Sequence, residues 1–139
     1  MKIKVDPSIR SEAVFSLCGR YRYRLTRTRD RDLVDDDDVG NTVNFLMCNP
    51  SIADEGHNDP TIERCMKRAF KYGILGRRYI TLVITNLFAV ISTDPKHLTK
   101  LDDPIGPEND KAIMESALSA DIVICGWGDP ANLGRVLLG

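Results

Sequence analysis

The feature that most constrains this fold is an alternation of three apolar, strand-like runs with two helix-like segments. The strand-like runs are "TVNFLMC" at residues 42–48, "YITLVITN" at residues 79–86 and "DIVICGWG" at residues 121–128. Strands that are apolar on both faces need helices on both sides, and helices that connect such strands favour a parallel sheet. We therefore predict an α/β fold, a three-layer sandwich with a mainly parallel central sheet.

Helix signals lie between these runs. Asp59 and Pro60 predict an N-cap followed by proline in the first helical position, and Gly73 predicts the end of that helix. A second helix is predicted over residues 107–119 and a short one from Pro130 onward. The predicted inward-facing residues are Ile62, Cys65, Met66, Ala69 and Phe70 in the first helix, and Ile113, Met114, Ala117 and Leu118 in the second.

The N-terminal part alternates arginine with apolar residues. From Ala13 to Arg29 the period of two is typical of a half-exposed strand, with Arg20, Arg22 and Arg24 on one face and Tyr21, Tyr23 and Leu25 on the other. The acidic run at residues 35–38 is predicted as a solvated turn rather than a metal site, closing an N-terminal β-hairpin with residues 42–48. The arginine face either binds nucleic acid, together with Arg27 and Arg29, or only contacts water.

Bulk properties predict one soluble domain over residues 1–139. The 19 Lys plus Arg against 20 Asp plus Glu leave a net charge of −1, which favours no class of partner. The cysteines Cys18, Cys48, Cys65 and Cys125 have no metal-binding spacing and are interpreted as reduced core residues. No run of about 18 apolar residues occurs, so we expect no membrane contact and a cytoplasmic location.

Unusual residues follow the predicted buried strands. They are Asn49, Pro50 and Ser51 after the first, Asn86 and Phe88 at the end of the second, and Trp127 after the third. In a parallel sheet these ends converge on one crevice. An asparagine there can read an amide-like nucleobase edge or hold a water molecule, although Asn49 and Asn86 could also only close turns.

The loop after Ser51 adds ionisable groups. His57 and Asp59 are candidates for a general base beside Asn49, and the spacing of the acidic residues does not favour a metal. Ser51 lacks the context of a nucleophilic serine. Glycine-rich nucleotide-binding motifs are absent from the sequence, so no cofactor is predicted.

Several motifs together carry a resemblance to a known family. "CGRYRYRLTR", "FLMCNPSIADEGHNDPTIERCMKRAFKYG", "VITNLFAVISTDP", "DPIGPENDKAI" and "VICGWG" occur in this order between about Phe15 and Gly128. In this respect the chain resembles the bacterial and phage family called domain of unknown function 1643. That family supplies an outline and no mechanism.

The chain also resembles, more distantly, the uracil-DNA glycosylases. In those α/β proteins one strand ends in a water-positioning Asp or Asn beside a proline, a later strand ends in a base-reading Asn, and another ends in Trp-Gly. The resemblance implies that Asn49 orients water, Asn86 reads the base and Phe88 stacks on it. It also implies a C-terminal strand and a His-Pro loop, which we expect this chain to lack.

These observations predict a nucleobase or nucleotide pocket at the carboxyl ends of the strands, in an N-glycosidase-like hydrolase acting on DNA bases. DNA or a nucleotide is the expected partner. A non-catalytic module that binds nucleic acid or protein through Arg20, Arg22 and Arg24 is the alternative, and a structural subunit that associates through an edge strand is a third. The oligomeric state is not predicted.

Overall fold

A computed structural model describes residues 2–34, 39–94, 98 and 100–128. The acidic run at residues 35–38 and the helix predicted from Pro130 lie outside the described residues. The described strands are β1 (Ile3–Lys4), β2 (Arg10–Phe15), β3 (Arg22–Thr28), β4 (Val39–Met47), β5 (His57–Asn58), β6 (Arg78–Asn86) and β7 (Ile122–Cys125), and the α-helices are α1 (Pro60–Lys67) and α2 (Asn109–Ser119).

The main sheet has five strands in the order β2-β3-β6-β4-β7. β4 pairs in parallel with β6 on one side and with β7 on the other, whereas β3 pairs antiparallel with both β2 and β6. The predicted α/β class is confirmed, but a mainly parallel sheet is wrong because the sheet is mixed. The apolar pattern of β6 reports that the strand is covered on both faces, and it says nothing about the direction of the strand beside it.

The N-terminal hairpin differs from the predicted one. A turn closed by hydrogen bonds from the Gly19 N–H to the Ser16 carbonyl (2.9 Å) and from the Ser16 N–H to the Tyr21 carbonyl (2.9 Å) divides the predicted strand in two. The hairpin therefore joins β2 to β3, and the predicted pairing of β3 with residues 42–48 is wrong. In the sheet, β6 lies between β3 and β4, the strand that contains most of residues 42–48.

A β-bulge changes which arginines face solvent. Val14 pairs with Arg24 and Phe15 pairs with Arg22, so Tyr23 is the extra residue on β3. One extra residue reverses the alternation of side chains along a strand, and Arg22 is therefore buried, with a relative exposure of 1%. Arg27 lies two residues after buried Leu25 and is buried by the ordinary alternation, with a relative exposure of 0%. The predicted solvent-exposed position of Arg22 is wrong for this reason.

Helix α1 follows its sequence signals closely. The Asp59 Oδ1 atom accepts a hydrogen bond from the Ile62 N–H (2.9 Å), Pro60 occupies the first turn, and a π-helical turn (Arg68–Tyr72) ends at Gly73 with φ 86°. The predicted N-cap is confirmed. Buried and partly buried residues of the helix pack on one face of the sheet, here called the first face: Ile62, Cys65, Met66, Ala69 and Phe70, with Val43, Phe45, Leu82 and Ile84 from the strands.

Helix α2 covers the opposite, second face of the sheet. Phe45 belongs to the first apolar cluster and its neighbour Leu46 to the second, as expected for successive residues of a strand. The predicted burial of Met114 and Leu118 is wrong, since they are 59% and 79% exposed. The helix is instead rotated so that buried Asn109 donates to the carbonyl oxygens of Asn86 (2.8 Å) and Leu87 (3.2 Å).

The cysteines occupy different environments. All four are free thiols, with Cys65 buried, Cys48 half-buried and Cys18 and Cys125 exposed. The expectation of core cysteines is therefore wrong for Cys18 and Cys125. Within the described ranges, neither helix is long and apolar enough to cross a membrane.

These environments predict unequal thiol reactivity. A hydrogen bond with the Ser16 hydroxyl lowers the pKa of Cys18, and burial raises the pKa of Cys65 to about 11. Because the thiolate is the reactive form, iodoacetamide at about pH 8 is expected to modify Cys18 much faster than Cys65, as followed by peptide mass spectrometry. In denaturant the two rates should converge. Equal rates in the folded protein would contradict the described burial of Cys65.

Candidate functional site

Three strand ends lie at one edge of the sheet. Met47 pairs with Asn86, and Leu46 pairs with Cys125, so the residues that follow these three parallel strands leave the sheet together. They then divide between its two faces. Phe88 and Trp127 pack in the second-face cluster with Leu46, whereas Asn86 lies beside first-face residues.

A small cavity lies at this edge on the first face, with a volume of about 50 Å³. We call it the edge cavity. It brings together Asn49, Pro50, Ser51, Asp59 and Asn86, all of them candidate site residues from the sequence. Its other lining residues are Arg22, Met47, Thr61, Ile62 and Ile84.

Two hydrogen-bond donors of the edge cavity have no partner in the described part of the chain. They are the Asn86 Nδ2 and the Arg22 Nε atoms, each on a residue that is only 1% exposed. Buried polar groups are normally bonded, and an unmade bond costs about 1–3 kcal/mol. Both residues line the edge cavity, so these two atoms are the candidate donors for an acceptor oxygen or nitrogen of a ligand.

Arg22 is the cation of the cavity. Its Nη1 atom donates to the Ala53 carbonyl (3.0 Å), which fixes the guanidinium beneath the loop between β4 and α1. Burial lowers the pKa of Arg22 to about 10, an effect that the nearby Asp59 carboxylate opposes. The group therefore stays protonated at neutral pH and presents a positive charge to whatever occupies the cavity.

Asn49 and Asp59 provide acceptors among the lining residues of the same cavity. The Asn49 Nδ2 atom donates hydrogen bonds to the carbonyls of Pro50 (3.0 Å) and Ser92 (2.7 Å). The Oδ1 atom of the same side chain can therefore accept a hydrogen bond from a water or a ligand. Asp59 caps α1 through Oδ1 and is 6% exposed. Its second carboxylate oxygen can still accept a proton or a hydrogen bond.

Arg27 organises the loop from below. Its Nε atom donates to the Asn58 Oδ1 atom (3.0 Å), and its Nη2 atom donates to the carbonyls of Asp54 (2.6 Å) and His57 (3.1 Å). Burial lowers the pKa of Arg27, partly offset by Asp54 and other carboxylates. The alternation places Arg27 in phase with buried Leu25, but the sequence analysis grouped it with the other arginines and so missed this role.

His57 does not line the edge cavity. Its Nδ1 atom lies 3.0 Å from the Asp54 Oδ1 atom, and the Asp54 carboxylate is 3.7 Å from the Lys2 ammonium. Partial burial acts against ionisation of Asp54, but hydrogen bonds from His57 and from the Gly56 N–H leave its pKa below the usual value. The proposed general-base role of His57 therefore lacks support from its position.

The other two arginines predicted to bind nucleic acid, Arg20 and Arg24, do not line the edge cavity. Arg20 is exposed, lies over the Tyr21 ring (5.3 Å) and donates to the Asp102 carbonyl. Arg24 is half-buried beside Tyr23 and Glu108. With Arg22 buried, these three side chains do not form the single cationic face that the alternation predicted. No group of three or more His, Cys, Asp or Glu side chains is placed to hold a metal ion within the described residues.

Comparison with known proteins identifies the family. The model of the family described as "Protein of unknown function (DUF1643)" matches residues 22–136, most of the chain. The chain therefore belongs to this family, as the motif order indicated. No curated protein and no solved structure matches it. All residues of the edge cavity lie inside the matched region.

The contacts of Arg27 predict a large effect on stability. Arg27→Met keeps much of the apolar side chain but removes the donors to Asn58, Asp54 and His57. Since each orphaned buried acceptor costs about 1–3 kcal/mol, we expect the free energy of unfolding to fall by roughly 3 kcal/mol in urea titrations. The matched variant Arg24→Met, at a half-buried position of the same strand, should change it by less than about 0.5 kcal/mol. Similar losses in both variants would refute the loop-anchoring role.

Proposed function

We propose that the edge cavity of this chain binds the carbonyl side of a nucleobase. We further propose that the chain hydrolyses the N-glycosidic bond between that base and its sugar. The observation that carries the proposal is a pair of buried donors without partners in the described ranges, Asn86 Nδ2 and Arg22 Nε, on residues that line one cavity with Asn49 and Asp59. Oxo-bases such as uracil present carbonyl oxygens that match two such donors.

The size of the cavity limits how the base enters. A water molecule takes up about 30 Å³ of liquid, and pockets for whole ligands measure about 300–1,000 Å³. A cavity of about 50 Å³ therefore admits one carbonyl edge, with the ring at its mouth. Binding is favoured because the carbonyl replaces the missing partners of Arg22 and Asn86.

The same residues can support the chemistry. The oxygen of a water held by the Asn49 Oδ1 atom attacks the sugar C1′ atom, the C1′–N bond breaks, and its electron pair passes to the base. Negative charge that develops on the base oxygen is stabilised by the Arg22 and Asn86 donors, which are already in place. The proton of the water passes to Asp59 and then to the departing base nitrogen.

The resemblance to uracil-DNA glycosylases agrees with this proposal at two positions and departs from it at two others. Asn49 and Asn86 take the water-positioning and base-reading roles that the resemblance implies. Phe88 and Trp127 pack on the second face, so we assign them no contact with the base. Helices on both faces support a glycosylase-like sandwich as part of the proposal, whereas the direction of β3 sets this sheet apart.

A non-catalytic nucleic-acid-binding strand is supported less well. That function needs several arginines on one exposed face, and Arg22 is buried beneath the loop with its Nη1 atom bonded to Ala53. Arg20 and Arg24 alone leave a small cationic surface.

The proposal predicts base release and its loss on substitution. Wild type, Asn86→Ala, Asn49→Ala and the exposed-site control Met114→Ala are incubated with uracil-containing single-stranded DNA, and free uracil is measured by mass spectrometry. Because removing one preorganised donor typically costs about 10²–10³-fold in rate, we expect at least a hundredfold loss in Asn86→Ala and no change in Met114→Ala. No release by wild type, together with no binding of uracil, would end the proposal.

Two substitutions of Asp59 separate its role as the N-cap of α1 from its proposed role as a proton acceptor. Asp59→Asn keeps an N-cap acceptor for the Ile62 N–H but cannot take a proton, so it should fold normally and lose activity. Asp59→Ala should also lower the free energy of unfolding by about 0.5–2 kcal/mol, since the cap is lost. Urea titration and the base-release assay are run on both variants. Full activity in Asp59→Asn would exclude Asp59 as the proton acceptor.

A further inference from the structure

A second hollow of about 210 Å³ lies next to the edge cavity on the same face of the sheet. Met47 and Thr61 line both spaces and so form a shared wall between them. The sheet side of the second hollow is apolar, with Phe45 and Ile124, and its helix side carries Arg64 and Arg68 of α1 and the turn that follows it.

The two arginines give this hollow its charge. Arg64 and Arg68 are four residues apart, one helical turn, so they lie one above the other on the face of α1 that borders the hollow. The Arg64 Nη2 atom lies 3.3 Å from the Thr61 Oγ1 atom, which orients it toward the shared wall. No lining residue described for this hollow is acidic, and Glu63 of the same helix accepts a hydrogen bond from Asn58 instead (2.9 Å).

We propose that the second hollow is a phosphate subsite, in which Arg64 and Arg68 bind the phosphate attached to the nucleotide whose base enters the edge cavity. This inference rests on the proposed function and narrows its substrate from a base to a nucleotide. Guanidinium groups bind phosphate oxygens through paired, charge-assisted hydrogen bonds, and two of them on one wall match a phosphate monoester or diester. The apolar wall of Phe45 and Ile124 suits the face of the sugar.

The relative sizes of the two spaces support this assignment. The edge cavity is large enough only for the edge of a base, and the second hollow is about four times larger, which leaves room for a sugar and a phosphate. A phosphate placed there would lie across Met47 and Thr61 from the Asn86 and Arg22 donors. One nucleotide unit therefore accounts for both spaces.

Binding measurements by calorimetry test the inference. Uracil, deoxyuridine, its 5′-monophosphate and inorganic phosphate are titrated into wild type, Arg64→Gln/Arg68→Gln and the matched control Lys67→Gln/Lys71→Gln, which removes two charges from the same helical segment. We expect the monophosphate to bind wild type at least about tenfold more tightly than deoxyuridine. The arginine double variant should lose this difference and keep its affinity for deoxyuridine, and the lysine control should keep both.

The outcomes separate this inference from the proposed function. Equal affinity for deoxyuridine and its monophosphate in wild type would overturn the phosphate subsite and leave the base pocket in place. Binding of inorganic phosphate that depends on Arg64 and Arg68, with no binding of uracil or deoxyuridine, would retain the phosphate subsite and remove the base pocket. A loss of monophosphate affinity in the lysine control equal to that in the arginine variant would also overturn the inference, since it would show a general charge effect.

A competing oligonucleotide identifies the source of the phosphate. The bound monophosphate is displaced either with a short uracil-containing single strand of DNA or with unlabelled free nucleotide. If the DNA strand displaces it at a lower concentration than the free nucleotide, the subsite is assigned to a phosphate of the DNA backbone. Weaker displacement would assign it to a free nucleotide. Both results require the arginine pair, and displacement that is unchanged in Arg64→Gln/Arg68→Gln would contradict the subsite.

Discussion

Two buried arginines beneath the loop between β4 and α1 hold the candidate site together. Burying a guanidinium is costly unless its hydrogens find acceptors, and Arg27 meets this requirement with the side chain of Asn58 and the carbonyls of Asp54 and His57. Arg22 meets it only in part, through Ala53, and its Nε hydrogen has no acceptor among the residues that the structure describes. The guanidinium that orders the loop therefore also keeps one donor without a partner among the described residues.

The direction of three strands decides where that donor lies. β4, β6 and β7 are parallel, so Asn49 and Asn86 follow neighbouring strands at one edge. The pleat then decides which side chains meet. Asn86 shares the first face with Ile84, two residues earlier in β6. Phe88 follows the end of β6, where this alternation no longer applies, and it joins Trp127 in the second-face cluster.

Much of the fold could be predicted from local signals. The cap at Asp59, the proline after it and the stop at Gly73 act within a few residues, and α1 forms where they indicate. The rest depended on distant partners. The inward turn of Arg22 comes from a one-residue bulge opposite Val14 and Phe15, and the rotation of α2 follows the hydrogen bonds of Asn109 to the end of β6. Neither leaves a periodic signal in the sequence.

The sequence by itself determined the three apolar strand segments, the helices α1 and α2, the family and the polar residues at the ends of the buried strands, because each depends on neighbouring residues or on motif order. Only the tertiary structure decided that β3 lies antiparallel beside β6, that Arg22 lines the edge cavity, and that Phe88, Trp127 and His57 lie outside it. The physical reason is that strand order and register are set by contacts between residues far apart in the chain. A shift of one residue in register moves a side chain to the other face of a sheet.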